Sequence, residues 1–324
     1  MDATDLPLWY LRTLAITWGL LWGSFANVMI YRWPRELSLV RPGSRCPSCG
    51  NPVRWYDNVP VLGWLWLRGK CRDCKAPISG RYPFVEALYG VAAFAVCERI
   101  LRTEPDLALS TFGALFFLRF AFVWGLLTAS FIDLATFLLP DVITLTGTAL
   151  GLAANALLPG IGLRQSAFGA ALGFGIPFAF YFVWSRFLKR EGMGLGDAKL
   201  LAMVGALLGP QAVLFALSAG ALQGLLAVGL ARVTGWKLGP DPSLLDGEGD
   251  EDEDEEADAT IAADTPEGPE GKPADDTPPA EAEADDPGLL RTPIPFGPFL
   301  ALGALEYMFG GEIIVQWWLR LLGA

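Results

Sequence analysis

The stretch LWYLRTLAITWGLLWGSFANVMIY, residues 8–31, decides the fold class of this chain. It contains one charged residue, Arg12, and it is longer than the roughly 20 residues that a helix needs to cross the hydrocarbon core of a bilayer. It is also too long for the apolar part of a secretory signal, and it ends in YRWPR rather than in small residues. We therefore interpret it as a retained membrane span.

Seven further apolar runs follow along the chain. They lie near residues 84–102, 110–132, 142–159, 166–187, 198–210, 212–231 and 296–322. The composition agrees with these runs, because 52% of the residues are hydrophobic and 12 are tryptophan. The sequence thus predicts an all-α polytopic membrane protein with about eight transmembrane helices.

The net charge of −11 originates in one segment of the chain. Residues 241–286 contain 20 Asp and Glu residues against a single lysine, Lys272, and the rest of the chain carries +8. Such a segment, rich in Pro, Ala and Gly with almost no aromatic residues, buries too little apolar surface to fold. We expect a disordered acidic insertion that keeps the protein soluble, with capture of a basic partner as the alternative.

Basic residues indicate which side of the membrane each loop occupies. Ten Lys and Arg residues lie between Arg32 and Arg81, and the stretches SRFLKR (185–190) and ARVTGWK (231–237) fall on the same face when the spans alternate. The positive-inside rule makes that face cytoplasmic. The predicted domains are a first transmembrane helix over 1–32, a cytoplasmic domain over 33–83, transmembrane helices two to seven over 84–236, the acidic cytoplasmic insertion over 237–292 and a last transmembrane helix over 293–324.

The predicted cytoplasmic domain contains two C-x-x-C pairs, CPSC with Cys46 and Cys49 and CRDC with Cys71 and Cys74. Four thiolates at this spacing predict a tetrahedral structural zinc site in a small zinc-ribbon-like domain, and Gly50 permits the tight turn of the first pair. Disulfides and a redox dithiol are weaker alternatives, because the cytoplasm is reducing and a redox dithiol does not need two pairs.

Two aspartates stand out, because an ionisable group at membrane depth is costly and is a candidate for function. Asp133, in FIDLATFLLPD, ends the third predicted span, and Asp197, in GMGLGDAKLL, begins the sixth from the same face. The chain has no histidine, which excludes Ser–His and Cys–His nucleophiles and a histidine base. A pair of carboxyls can instead divide the work, with one as acid and the other activating water. Gly192, Gly194 and Gly196 would let backbone or substrate approach Asp197 closely.

Simpler interpretations of the charged residues stay open at this point. Asp197 could cap its own helix, and Asp133 could be an ordinary interfacial residue. Asp141, which follows Pro140, is interpreted as the cap of the fourth span. Lys199 either neutralises charge near the two aspartates or extends to the lipid headgroups.

Several segments together resemble the bacterial prepilin peptidases. They are GSFANVMIYRWPR (23–35), the two C-x-x-C pairs, RWYDNVPVLGWLWLRGKC (54–71), ISGRYPFVEALYG (78–90), FIDLATFLLPD (131–141), GMGLGDAKLL (192–201) and IPFGPFLALGA (294–304). The resemblance implies a bifunctional inner-membrane enzyme of the GxGD aspartyl protease class, with Asp133 and Asp197 as the catalytic pair. It also implies that the substrates are type IV prepilins and type II secretion pseudopilins, cut after a glycine where a basic leader meets an apolar helix. The acidic insertion departs from the pattern expected of this family.

The resemblance further implies that the new amino terminus is methylated with S-adenosylmethionine. No strand–turn–helix with a glycine-rich nucleotide loop is present in the sequence, so this activity rests on the resemblance alone. Asn27 and Glu86, at the cytoplasmic ends of the first two spans, are candidate cofactor-binding residues, and pairing with nearby arginines is their alternative role. Membrane lipids are the other expected partner, and no nucleic acid is expected. Two other functions stay open, namely a protease-only relative and a non-catalytic zinc-ribbon membrane scaffold.

Overall fold

The computed structural model describes residues 2, 5–188, 194–234, 295–311, 313 and 320. The acidic insertion predicted over 237–292 lies outside the described residues, as do Gly192 and most of the last predicted span beyond residue 311. Within the described residues the regular structure is helical, and the only β pairings are isolated bridges. This confirms the predicted all-α fold class.

The described residues form nine α-helices. They are α1 (Leu8–Arg32), α2 (Leu62–Trp66), α3 (Arg81–Thr103), α4 (Leu109–Thr136), α5 (Asp141–Leu157), α6 (Leu163–Val183), α7 (Leu195–Leu208), α8 (Pro210–Thr234) and α9 (Gly297–Glu306). Short turns of other helical types extend α1 over Trp33–Arg35, α6 over Trp184–Leu188 and α9 over Tyr307–Gly311. Each of the eight predicted spans thus contains a helix, and α2 lies in the loop domain between the first two.

Four of these helices are long and apolar enough to cross a membrane by themselves. They are α1, α4, α6 and α8, counted with the turns that extend α1 and α6, and α5 is a shorter apolar helix. The chain is therefore a multi-pass membrane protein.

The helix α7 has 14 residues and lies at the centre of the second half of the bundle. Every residue from Leu200 to Ala206 is buried, because α5, α6, α8 and α9 all pack against it. A helix surrounded by protein does not have to match the thickness of the lipid, which accounts for its short length. It begins at Leu195, three residues before the predicted start, so Asp197 lies inside its first turn.

Glycines allow two helix pairs to pack backbone against backbone. A Cβ on Gly19 of α1 would lie 2.3 Å from the carbonyl oxygen of Tyr89 on α3. In the second half, Gly169 of α6 contacts Gly205 of α7 in the same way, where an added Cβ would lie 2.3 Å from its carbonyl oxygen. Small residues at close crossings are the usual basis of helix association in lipid, where no hydrophobic force draws helices together.

The helix α4 joins the two halves of the bundle. Its Thr128 shares a fully buried hydrogen bond of 2.7 Å with the hydroxyl of Tyr89 on α3. Trp124, one turn earlier, links α4 to α1, because its Nε1 donates a 3.0 Å hydrogen bond to the carbonyl oxygen of Trp22. On its other side α4 packs against α5 and α9. The end of α4 that follows Thr128 therefore lies beside the loop domain that connects α1 to α3.

Candidate active site

Asp133 lies in the last turn of α4 and is buried, with 5% of its surface exposed. Phe137 follows the last residue of the helix; its left-handed backbone turns the chain, and its N–H donates to the carbonyl oxygen of Asp133 at 2.9 Å. One carboxylate oxygen of Asp133 accepts a 3.1 Å hydrogen bond from the backbone N–H of Gly297, the first residue of α9. The carboxyl is thus fixed by a backbone group that lies 164 residues away in the chain.

Asp197 is the third residue of α7 and is also buried, with 8% of its surface exposed. The residue at the N-cap position is Gly194, so Asp197 does not occupy that position. The Asp197 carboxylate instead reaches back from the first turn and accepts a hydrogen bond from the backbone N–H of Gly194. The space beside Gly194 is open towards Asp197, because an added Cβ would meet only the Asp197 carboxylate at 3.7 Å and the Gly196 nitrogen at 3.8 Å.

One leucine contacts a glycine beside each aspartate. Leu139, in the turn after α4, packs against Gly297, which holds Asp133, and against Gly196, which precedes Asp197. The two carboxyls are close enough for the charge of Asp197 to act on Asp133. Within the part of the chain that the structure describes, neither carboxyl forms an ion pair. Two buried, neighbouring carboxyls without a basic partner favour a shared proton, which is the requirement for acid and base to act together.

The structure corrects two interpretations of charged residues near this pair. Asp141 is not a cap, because Pro140 occupies the N-cap position of α5 and Asp141 is the first residue of the helix. Its carboxylate pairs with Lys199 of α7, whose Nζ lies 2.6 and 2.8 Å from the two oxygens. Lys199 therefore neither neutralises the aspartate pair directly nor extends freely to the headgroups. The pair instead joins the beginning of α5 to the first turns of α7.

The four predicted metal ligands come together. The Sγ atoms of Cys46, Cys49, Cys71 and Cys74 all lie within 4.8 Å of one another, and no disulfide joins them. Cys46 and Cys74 are 3.7 Å apart, close to the edge of about 3.8 Å that a tetrahedron with metal–sulfur bonds of about 2.3 Å requires. The site therefore has the ligands and the dimensions for one tetrahedral metal ion, as the spacing predicts.

The two C-x-x-C turns have the same backbone conformation. In each turn the N–H of the first cysteine donates to a carbonyl five residues later, Asn51 for Cys46 and Ala76 for Cys71. The residue four positions after the first cysteine has a positive φ in both, 68° at Gly50 and 65° at Lys75. The positive φ was predictable at position 50, where the residue is a glycine, but not at Lys75. Isolated bridges from Arg45 to Pro52 and from Lys70 to Pro77 close the turns, in place of the strands of a ribbon.

Hydrogen bonds prepare the loop domain for a metal and hold it together. The backbone N–H groups of Cys74 and Asp73 lower the pKa of the Cys71 thiol to about 7, whereas desolvation and the hydrogen bond with Cys71 raise the pKa of Cys74, so one thiolate is favoured among these two sulfur atoms. Nearby, Arg72 donates to the carboxylate of Asp57, with its Nε 2.7 Å from one oxygen, and holds the pKa of that carboxyl below its usual value. This pair links the second turn to the segment before α2.

Asn27 and Glu86, the candidate cofactor residues, line one cavity of about 270 Å³ between the loop domain and the ends of α1 and α3. The Nδ2 of Asn27 donates to the carbonyl of Tyr82 at 3.1 Å, but its buried Oδ1 has no hydrogen-bond partner among the described residues. Glu86 accepts hydrogen bonds from the Ser24 hydroxyl and, at 2.7 Å, from the N–H of Val61. Both partners of Glu86 are uncharged, so a pairing with arginine does not account for its burial.

The walls of this cavity combine apolar side chains with charged and amide side chains that the sequence did not identify as site residues. Among them are Arg54, Asp57, Asn58, Arg72 and Asp73 of the loop domain. Gly297 was missed as well, although the IPFG segment that contains it was noted for the resemblance. Its glycine–proline sequence at the start of a helix was the available signal, but it does not show which side chain the backbone N–H meets.

Comparisons with known proteins show which family this sequence resembles. Residues 17–100 match the model of the bacterial peptidase A24 N-terminal domain, and residues 120–229 match that of the type IV leader peptidase family. A prepilin leader peptidase/N-methyltransferase of Myxococcus xanthus is 36% identical over 326 residues, covering 94% of this chain and 91% of that protein. Proteins of the same name from Aeromonas hydrophila and Pseudomonas putida are each 36% identical over 253 residues, covering 70% and 71% of this chain and 83% and 84% of their own.

No solved structure gives a significant match to this chain. The two family models nevertheless cover the loop domain with its flanking helices and the helices that carry both aspartates. One relative is similar over nearly the full length of both chains. The chain therefore belongs to the type IV leader peptidase family.

Proposed function

We propose that this protein is a membrane aspartyl endopeptidase and N-methyltransferase that removes the leader of type IV prepilins and pseudopilins and methylates the new amino terminus. The proposal rests on two buried aspartates, Asp133 and Asp197, which lie near the ends of their helices and close enough for the charge of Asp197 to act on Asp133. The relatives named above support both activities. By the positive-inside rule the helix ends that bear the two aspartates face the cytoplasm, in the bacterial inner membrane.

In the proposed cleavage, one aspartate is ionised and the other holds a proton. The ionised carboxylate takes a proton from a water molecule as the water oxygen attacks the carbonyl carbon of the glycine at the cleavage site. The protonated carboxyl donates to the carbonyl oxygen, and the resulting tetrahedral intermediate collapses as the C–N bond breaks and the amine takes a proton. The Gly297 N–H holds Asp133 in one orientation, so the carboxyl loses little conformational freedom when the transition state forms.

The cavity beside the four cysteines is the proposed site of methyl transfer. S-Adenosylmethionine supplies a methyl group on a positively charged sulfur, together with an amino acid end and an adenosine end that form hydrogen bonds. The Glu86 carboxylate and the unpartnered Asn27 Oδ1 fit such a molecule, because one offers negative charge and the other an unused acceptor. These two residues would hold the cofactor, and the loop domain would close the cavity over it.

We propose that the metal at the four cysteines is zinc and that it has a structural role. All four positions of the tetrahedron are filled by protein sulfur, so no position is open for a substrate or water. The domain organisation predicted from the sequence fits the helices, with a loop domain over about 33–83 between α1 and α3. The acidic insertion of 237–292 and the last span over 293–324 complete this proposed division.

Purified protein in proteoliposomes, given an intact prepilin and S-adenosylmethionine, tests the proposal by mass spectrometry of the products. We expect Asp133→Asn and Asp197→Asn each to reduce cleavage by about 100- to 10,000-fold, the range for loss of a general acid or base. The double variant should be no slower than the slower single variant, because the two groups act as one unit. Asp106→Asn, in the exposed loop between α3 and α4, is the matched control and should cleave normally.

The products also separate the competing functions. Cleavage without an added methyl group would identify a protease-only relative, and neither product would favour a zinc-ribbon scaffold. Substantial cleavage by either single asparagine variant would refute the assignment of the pair.

A further inference from the structure

An apolar groove of about 530 Å³ runs between α6 and α8. Ile176, Phe180 and Trp184 line it from the α6 side, Leu217 and Ala221 from α8, and Phe296 at the start of α9. Apart from Ser218, its lining side chains are apolar or aromatic. The Ser218 hydroxyl donates to carbonyl oxygens of its own helix, at 2.9 Å to Leu214, so it is not a free donor. The groove therefore suits an apolar occupant rather than a polar one.

The groove lies beside the aspartate pair. Phe296 is the neighbour in sequence of Gly297, whose N–H donates to Asp133. On the α6 side, Gly173 packs against the backbone of Leu201, one turn after Asp197 in α7, and Ile176 is the next groove residue along α6. A segment seated in the groove would thus have one part within reach of both carboxyls.

The outer edges of the groove face the surroundings of the protein. Phe180 is 57% exposed, Leu214 is 55% exposed and Trp184 is 40% exposed, although all lie in helices long enough to span the membrane. Lipid or another membrane helix is therefore the natural neighbour of these side chains. Since lipid tails are as apolar as leucine, a helix would associate here through close packing into a shaped surface.

We propose that this groove binds the apolar helix of the substrate, directly after the scissile bond. The inference rests on the proposed cleavage at the aspartate pair. Both carboxyls are buried in the bundle near the ends of membrane helices, so the segment that follows the scissile bond of an intact prepilin continues from them into the membrane. That segment has to be helical, because unpaired backbone groups are too costly in lipid. The groove is the apolar surface beside the pair that can receive such a helix from the lipid side.

Photo-cross-linking tests this assignment without requiring turnover. A benzoylphenylalanine replaces Leu217 in the groove, or Leu226 on another face of α8, which is 64% exposed and serves as the matched control. Both variants also carry Asp133→Asn and are irradiated with intact prepilin in proteoliposomes. We expect an adduct with the apolar segment of the prepilin from position 217, at least about tenfold above that from position 226. Equal yields at the two positions, or adducts with lipid only, would overturn the proposal.

Kinetics with two substrates give an independent readout. Ala221→Trp fills the groove, and we expect it to raise KM for intact prepilin about tenfold, equivalent to a loss of about 1.4 kcal/mol in binding, with little change in kcat. A water-soluble peptide that contains the leader and only the first residues after the cut should be cleaved as by the wild type. Leu226→Trp should change neither value. Equal losses on both substrates would show damage to the catalytic pair and would refute the groove assignment.

The two arms separate failure of this inference from failure of the proposed function. Cross-links to prepilin at position 217, together with no cleavage of prepilin by the wild-type protein, would contradict the proposed protease and support the groove. Normal cleavage without cross-links at position 217 would do the reverse.

Discussion

Gly297 is the residue on which the geometry of Asp133 depends most directly. Its N–H donates to the carboxylate, and its Cα hydrogen faces the same group. A Cβ at this position would lie 2.5 Å from the Asp133 oxygen and 3.2 Å from its carboxyl carbon. A side chain larger than hydrogen therefore cannot be accommodated unless the carboxyl moves.

We expect Gly297→Ala to lower the cleavage rate by at least about tenfold, because a displacement of reacting groups by about 1 Å can cost up to a hundredfold. The control is Gly113→Ala on α4, the helix that carries Asp133, where an added Cβ would meet nothing within 4 Å. Cleavage assays and thermal unfolding in detergent should show two folded variants with different activities. Full activity of Gly297→Ala would mean that Asp133 does not need its present position.

The ion pair of Asp141 and Lys199 leads to a different expectation from that of a helix cap. If Asp141 were a cap, Asp141→Asn would be neutral, because asparagine caps helices equally well, and Lys199 would not matter. The observed pair has side chains 56% and 28% exposed, for which about 0.2–1 kcal/mol is typical.

We therefore expect Asp141→Asn and Lys199→Gln to destabilise the protein by similar amounts of less than about 1 kcal/mol, and the double variant to add little. Cleavage should be largely retained in all three. Unfolding in detergent measures the coupling between the two positions, and the cleavage assay checks the activity. A loss of cleavage in Asp141→Asn as large as that of the catalytic variants would place Asp141 in the reaction itself.

The identity of the functional residues was the feature most predictable from the sequence. The residues that contact them could not be predicted. The four cysteines, Asp133 and Asp197 could be identified because each is unusual in its sequence surroundings, through spacing in one case and membrane depth in the other. The contacts of Asp133 with Gly297 and of Asp141 with Lys199 join residues 164 and 58 positions apart. No local pattern encodes such distances, so only the fold reveals which of several charged residues are paired.

At the scale of elements, the two cysteine turns form a unit that is separate from the membrane helices. Their matching hydrogen bonds and positive φ angles present four sulfur atoms to one point. The loop domain contains a single α-helix of five residues within the described part of the chain. Such a domain has little core of its own, so most of its folding free energy should come from the metal.

We expect the purified protein to contain one zinc ion per chain, and Cys46→Ser or Cys71→Ser to release it and unfold the loop domain. Methylation should then be lost, because the cavity wall is lost, while cleavage should suffer less because both aspartates stand on membrane helices. Cys97→Ala, in α3 and outside the cluster, is the control and should keep the metal. Metal analysis and thiol alkylation provide the measurements, and a zinc-free reduced wild type with freely alkylated thiols would contradict the site.

Helix positions followed the apolar runs of the sequence to within a few residues, and the start of α7 is the difference that affects the site. Its predicted start at residue 198 came from hydropathy, whereas the helix begins at Leu195, where Gly194 provides the N-cap. Hydropathy measures affinity for lipid, so it does not identify a helical turn that contains a charged residue. The first turn of α7 contains Asp197, which is buried within the protein. The cavity and the groove escaped prediction for a related reason, since each lies between elements that are distant in the sequence.

For the molecule as a whole, the acidic tract should be dispensable for catalysis. Gly224 of α8 lies beside Phe296, with 3.9 Å between an added Cβ and the ring. The helix α8 continues for ten more residues to Thr234, a length of about 15 Å. The chain that follows Thr234 must therefore span about 15 Å to return to Phe296. Deleting residues 244–286 would leave 235–243 and 287–294, which is ample chain, because about five extended residues cover that distance.

We expect this deletion to leave both helices in place and cleavage intact. If the tract only keeps the protein soluble, initial rates with subsaturating prepilin will match the wild type at low and high salt. If it captures basic leaders, the deleted protein will be slower at low salt and the difference will fade as screening increases. Loss of cleavage at every salt concentration would contradict both interpretations of the tract.

The hydrogen bond between Gly297 and Asp133 also sets an order in time. A ribosome adds about 5–20 residues per second, so the 164 residues from Asp133 to Gly297 take roughly 8–30 seconds to make. During this interval the growing chain already possesses Asp133 and, later, Asp197, but not the backbone group that orients the first of them. The unfinished chain would therefore lack an ordered site while other membrane proteins surround it. It would become able to cleave them only after α9, which begins at Gly297, has been made.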